Sequence, residues 1–121
     1  MITTKDTKNT ANDASIDTNV YTFLATVQEL EKDGQLTRWV ENHDILLYIW
    51  EGQIKAISNI CRHFGGPVGY RKHKDGKFTC LWHNWQFSCD DGACETNPGT
   101  PLRQYTDLVV QNGCIYINLL A

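Results

Sequence analysis

The chain has 121 residues and a mass of 13.8 kDa, which is the size of one domain with a modest core. Hydrophobic residues make up 41% and charged residues 21%, a balance that excludes a disordered or collagen-like chain. The formal net charge of −3 provides no basic field for nucleic acid or for an anionic membrane.

Residues 1–19 are mostly small and polar, and they predict a flexible tail ahead of a folded domain at 20–121. They lack the basic start, apolar run and cleavage site of a signal peptide. No later window approaches the roughly 20 apolar residues that span a bilayer. We therefore expect a cytoplasmic protein with reduced cysteines and no membrane partner.

Short apolar runs separated by turn signals predict a small, mostly antiparallel all-β domain. Thr26 followed by Glu29 has the form of a capping box, which predicts one or two helical turns over Val27–Lys32. The pairs Glu51-Gly52, Asp75-Gly76 and Asn112-Gly113 predict hairpin turns. The predicted strands are Tyr21–Ala25, Leu36–Val40, Ile45–Trp50, Gln53–Ser58, Phe78–Leu81, Leu108–Val110 and Cys114–Leu119.

Residues 59–101 differ from the rest in composition. They contain four of the five cysteines, six of the nine glycines and all three prolines. Glycine and proline at this density predict tightly turned loops, the usual location of binding residues on a rigid sheet. Because five cysteines cannot all pair within one chain, a disulfide scaffold is disfavoured and metal or redox chemistry is favoured.

Two mixed pairs of metal-ligating residues occur in these loops. Cys61-x-His63 is followed, after sixteen intervening residues, by Cys80-x-x-His83. Zinc accepts two thiolates and two imidazoles, but zinc-finger spacing places two cysteines together and then two histidines. A [2Fe–2S] cluster with two cysteines on one iron and two histidines on the other is the alternative.

These pairs and their flanks resemble the Rieske domain of ring-hydroxylating oxygenases and their ferredoxins. Gly65-Gly66-Pro67 is similar to the first glycine-rich loop of that family, and residues 82–87 are similar to its Trp-His-Gly-Trp-x-Phe stretch. Asp91-Gly92 and Pro98 fit its downstream turn and proline loop. The resemblance extends in pattern from about Tyr21 to Leu119 and implies a β-sandwich or barrel-like fold with a cluster-binding subdomain at about 59–101.

The resemblance also implies ligands and a function. Cys61 and Cys80 would hold the buried iron of one [2Fe–2S] cluster, and His63 and His83 the outer iron. The chain would carry single electrons from a reductase to a terminal oxygenase or similar enzyme, with both partners docking at the His63/His83 tip. It would have no catalytic residues and would not be an enzyme by itself.

Departures from the family pattern sharpen this expectation. The respiratory-complex branch has a bridged cysteine pair at positions that match Gly66 and Trp82, so that bridge is absent here. The same branch has hydroxyls that donate to the cluster at positions that match Trp85 and Phe87. Because neither of these residues has a hydroxyl, we expect a low reduction potential for this protein. Asn84 replaces the usual glycine after the second histidine, a change that is tolerable where the backbone is left-handed.

Two alternatives stay open from the sequence. One is a Rieske subunit or domain of a larger oxygenase or reductase complex, and the other is a zinc-stabilised binding module. The chain as given shows no separate facial triad and no glycine fingerprint for a flavin or nicotinamide, which favours a stand-alone carrier.

The remaining cysteines and histidines are expected not to be ligands. Cys89 and Cys94 are expected to be thiols in a turn, and Cys114 a small core residue. His43 and His73 are expected to be solvated side chains among charged neighbours.

Overall fold

The computed structural model describes residues 7–9, 16–61, 65–82 and 84–121. Ten strands and one short helix form within these ranges. Their bounds are β1 Thr7–Asn9, β2 Thr22–Thr26, α1 Val27–Asp33, β3 Gln35–Val40, β4 His43–Trp50, β5 Gln53–Ser58, β6 Lys77–Thr79, β7 Gln86–Ser88, β8 Gln104–Tyr105, β9 Leu108–Gln111 and β10 Cys114–Ile117. The predicted all-β class is confirmed.

Two four-stranded sheets and one two-stranded sheet organise the chain. The first sheet has the order β1-β9-β10-β2, the second has the order β3-β4-β5-β8, and β6 pairs with β7. All of these pairings are antiparallel except that of β1 with β9. Strand β1 lies within the range predicted as a polar tail, and the division of the chain at residue 20 stays a prediction.

Helix α1 begins at the predicted capping box. The Thr26 hydroxyl accepts from Glu29 N at 3.1 Å, and Thr26 N donates to the Glu29 carboxylate at 3.0 Å. The bonds that Thr26 donates to the Glu29 carboxylate, from its backbone N–H and then from its hydroxyl, lower the pKa of that carboxyl. Gly34 ends the helix with a φ of 76°, and its N–H donates to Leu30 O at 2.7 Å.

Tight turns with positive φ join the antiparallel strands. The three predicted glycine turns form as expected, with a positive φ at Glu51, Asp75 and Asn112 and at the glycine that follows each. Strand β4 begins at His43, two residues before the predicted strand at Ile45, because the turn that precedes it lies at Glu41-Asn42, where both residues adopt positive φ.

Strand β4 separates two apolar cores. Its residues Ile45 and Leu47 face the core between the two large sheets, whereas Leu46 and Tyr48 face the second core, which is made with the loops after β5. All four side chains are completely buried. The loops that carry Cys61 and Cys80 are therefore packed on the outer face of the second sheet. In the described part of the chain, no helix is long and apolar enough to cross a membrane.

Candidate metal centre

The first cysteine loop leaves the end of β5 and returns beside it. Ile60 forms an isolated β-bridge with Pro67. Cys61 N donates to Gly66 O at 2.8 Å, and Gly65 N donates to Cys61 O at 2.9 Å. These bonds close a tight turn and hold the Cys61 backbone at its base.

The second cysteine loop connects β6 to β7 in the same way. Cys80 N donates to Trp85 O at 2.8 Å, and Asn84 N donates to Cys80 O at 3.1 Å. Asn84 has a φ of 59°, so the position predicted to tolerate asparagine is left-handed. Leu81 N donates to Pro67 O at 3.2 Å, which joins this loop to the first one.

The structure brings Cys61 and Cys80 into one buried apolar cluster. The two residues are 2% and 1% exposed, and they share this cluster with Val68, Phe78 and Phe87. A Cβ placed on Gly66 would lie 2.9 Å from Cys80 Sγ, so only glycine allows the first loop to approach the second thiol this closely. Two buried thiols on adjacent loops, with backbone close to one sulfur, fit the thiolate side of an iron–sulfur cluster.

The other predicted ligands, His63 and His83, lie outside the described residues. Their role as ligands stays a prediction. Among the described residues, no group of three or more His, Cys, Asp or Glu forms another metal site.

Asn59 fixes the first loop to β4 and was missed by the sequence analysis. Its side-chain amide donates to the Asp44 carboxylate at 3.2 Å, and its Oδ1 accepts from Gly69 N at 2.6 Å. Asn59 N also donates to Asp44 O at 2.8 Å. Only 5% of Asn59 is exposed, so these bonds satisfy a buried amide and set the path of the loop. No local sequence motif predicts these contacts, because their partners are distant in the sequence.

Gln35 holds the continuation of the same loop against β3. Its amide nitrogen donates to Gly69 O at 3.2 Å and to Arg71 O at 2.9 Å. Its amide oxygen accepts from His73 N at 3.2 Å. Gln35 and Asn59 together attach residues 69–73 to the second sheet.

His43 and His73 are less solvated than predicted, because both are partly buried against aromatic residues. The His43 ring lies with Nδ1 2.9 Å from the Tyr105 hydroxyl. The His73 ring packs edge-to-face between Trp50 and Phe78, with centroid separations of 5.6 and 5.5 Å. Burial, and then the charge of Lys72, lower the pKa of His73. The residues next to His73 in the sequence are polar, but aromatic residues distant in the sequence pack against its ring.

Cys89 and Cys94 are buried thiols in the turn after β7, as predicted. No disulfide joins the five cysteines, all of which lie in described ranges. Burial raises the pKa of the Cys89 thiol to about 12. Cys114 is only partly buried, so it is less of a core residue than expected.

Basic residues near the loops have local partners. Lys77 Nζ lies 3.1 Å from the Glu95 carboxylate. The ammonium of Lys72 lies against Gly34, at the carboxyl end of α1, where a positive charge is favourable. Each of these two lysines therefore has a local electrostatic partner within the fold.

A β-sandwich with two buried cysteines on adjacent glycine-containing loops defines a small metal-centre domain. The family model for the Rieske [2Fe-2S] domain matches residues 20–106, more than half of the chain. The chain therefore belongs to the Rieske [2Fe–2S] domain family, and its cofactor is a [2Fe–2S] cluster.

Individual proteins agree with this assignment. The ferredoxin component of the alkene monooxygenase system of Xanthobacter autotrophicus is 32% identical over 109 residues, covering 88% of each chain. Chlorophyllide a oxygenase of Chlamydomonas reinhardtii is 39% identical over 51 residues, which are 42% of this chain and 8% of the oxygenase. The solved ferredoxin of carbazole 1,9a-dioxygenase from Nocardioides aromaticivorans has a TM-score of 0.67 at 22% identity, covering 82% of this chain and 97% of that one.

We predict that Asn84→Ala destabilises the protein whereas Asn84→Gly does not. Alanine in the left-handed region costs about 1–2 kcal/mol, and glycine has no such cost. Thermal unfolding of the purified proteins measures the difference. A lower unfolding temperature for Asn84→Gly than for Asn84→Ala would contradict the conformational role of this residue.

We also predict that Cys89 resists alkylation in the native protein. With a pKa of about 12, almost none of its thiol is ionised at about pH 8, and the thiolate is the reactive form. Iodoacetamide labelling followed by mass spectrometry should modify the partly exposed Cys114 first and Cys89 only after unfolding. Equal labelling rates for the two residues in native protein would show this prediction to be wrong.

Proposed function

We propose that this protein is a one-electron carrier whose cluster is held by Cys61 and Cys80 on one iron and by His63 and His83 on the other. The observation that carries the proposal is the pair of buried thiols, 2% and 1% exposed, on two loops that meet at Gly66. A cluster bound there accepts and releases single electrons. The protein's contribution is to hold the thiolates in an apolar shell and to limit access of water to them.

Full-length relatives indicate where the electrons go. A ferredoxin component is the electron-transfer part of an oxygenase system, and this chain covers 88% of one such component. We therefore assign the chain a carrier role between a reductase and a terminal oxygenase or similar enzyme, with no catalysis of its own. Partners would dock at the tip where His63 and His83 would hold the outer iron.

A cytoplasmic location is part of this proposal. None of the five cysteines, all within the described ranges, forms a disulfide, and at least three of them are not needed as ligands. Free thiols in that number suit a reducing compartment.

A second candidate is a Rieske domain that works within a permanent oxygenase complex. The match to chlorophyllide a oxygenase, which spans only 8% of that enzyme, favours considering it. Solution mass and electron exchange with a separate reductase distinguish the two. A stable monomer that exchanges electrons rapidly supports the mobile carrier.

The ligand assignment is tested by cluster content. Anaerobically purified protein should contain iron and acid-labile sulfide in equal amounts, and after dithionite reduction its EPR spectrum should have the low average g of a cluster with mixed ligands. We expect Cys80→Ser and His83→Ala to lose this spectrum, whereas His43→Gln, outside the ligand set, keeps it. Zinc without sulfide in the wild-type protein would instead support a zinc-stabilised module.

The surroundings of the thiols predict a low reduction potential. Within the described residues of the second core, Tyr48 supplies the hydroxyl, and it donates to Cys89 O at 2.7 Å instead of to the cluster. Trp85 and Phe87 have no hydroxyl. Fewer donors leave the more negative reduced cluster less stabilised, so we expect a midpoint near the lower end of roughly −150 to +300 mV.

Adding one hydroxyl tests this explanation. We predict that Phe87→Tyr raises the midpoint potential by on the order of 50 mV, equivalent to roughly 1 kcal/mol for a one-electron couple. Phe78→Tyr is the matched control, because Phe78 lies directly opposite Phe87 in the β6–β7 pair and is equally buried. Potentiometric titration monitored by EPR measures both variants. Equal shifts of the midpoint potential in the two variants would show that any added hydroxyl in the second core has this effect, and would contradict a specific role for position 87.

A further inference from the structure

The Trp82 side chain lies where the two cysteine loops meet. A Cβ placed on Gly66 would be 3.0 Å from both Cγ and Cδ2 of the Trp82 ring and 2.9 Å from Cys80 Sγ. The indole and the thiol therefore both contact the same glycine, which belongs to the other loop. Gly66 itself is buried beneath them. One surface of the indole thus covers the point at which the first loop approaches Cys80.

The other surface of Trp82 faces solvent. This residue is 57% exposed, whereas Cys80, two positions earlier, is 1% exposed. The nearby Trp85 packs against the second core and attaches the loop to it. Anchoring the loop to the core therefore does not require Trp82, and its contact with Gly66 is a separate interaction between loops.

The backbone supplies a further link between these loops. Leu81 N donates to Pro67 O at 3.2 Å, at the long end of the range for such bonds. An indole packed on the adjacent Gly66 adds contact area beside this bond and limits separation of the loops. It also reduces access of water to the Cys80 sulfur.

We propose that Trp82 is a positioning residue for the cluster, one that holds the two loops together over Gly66 and keeps water from the thiolate side. This inference rests on the proposed role of Cys80 as a ligand. Water near the thiolates would stabilise the more negative, reduced cluster. Removing the indole should therefore raise the midpoint potential as well as speed cluster loss.

The experiment compares Trp82→Ala with Trp39→Ala in the cluster-loaded protein. Trp39 is a matched control, because it is 64% exposed, lies on β3 and belongs neither to the cysteine loops nor to the second core. Decay of visible absorbance in the presence of an iron chelator measures cluster loss, and EPR-monitored titration measures the potential. We expect about tenfold faster loss and a higher potential for Trp82→Ala, with both quantities unchanged for Trp39→Ala; tenfold corresponds to about 1.4 kcal/mol.

The potential separates positioning from simple loop stabilisation. Trp82→Phe keeps a ring over Gly66 and should have a potential closer to the wild-type value than Trp82→Leu. If Trp82→Ala does not load a cluster, the comparison of Trp82→Phe with Trp82→Leu still tests whether the ring affects the midpoint potential. Equal potentials for the wild-type protein and Trp82→Ala, or for Trp82→Phe and Trp82→Leu, would overturn the inference alone. A wild-type protein that lacks iron and sulfide would overturn the proposed function and this inference together.

Discussion

Burial of β4 on both faces is the constraint on which the rest of the structure depends. Ile45 and Leu47 need the opposite sheet, while Leu46 and Tyr48 need a cover on the outer face. Unlike a surface strand of an antiparallel sheet, β4 has no solvated face over residues 45–48, and residues 45–50 accordingly form an unbroken apolar run. The cysteine loops provide the outer cover, so the residues that form the metal centre also complete the core.

Because the cysteine loops both cover β4 and carry the thiols, residues distant in sequence position these thiols. Asn59 and Asp44 connect the first loop to β4 through partly buried hydrogen bonds. The Tyr48 hydroxyl, on the same strand, bonds to the backbone of Cys89 beyond the second loop. Both cysteine-loop segments are thereby hydrogen-bonded to the same strand, so a change in the packing of β4 would move both thiols.

Local signals in the sequence predicted much of this arrangement. The capping box at Thr26 and the Asn112-Gly113 hairpin depend on residues close in sequence, and both form as expected. The mixed pairs Cys61-x-His63 and Cys80-x-x-His83, with their family resemblance, predicted the metal centre. The structure places both cysteines in one buried cluster, and the ligand set itself stays a prediction. The Asn59 and Gln35 anchors and the aromatic cover of His73 depend on residues distant in sequence, so no local pattern contains them. Strand β8 has only two residues, too few for a periodic pattern, and β1 has only three.

The contact between Trp82 and Gly66 also accounts for a difference within the family. These positions match those at which the respiratory-complex branch has a bridged cysteine pair, so an indole on a glycine stands here in place of a covalent link between loops. A disulfide depends on an oxidising compartment, whereas apolar packing does not change with the redox poise of its surroundings. If the carrier works in the reducing compartment proposed above, reduction would not break this loop contact. The contact leaves Trp82 partly exposed beside the centre, near the tip at which we propose that partner proteins dock.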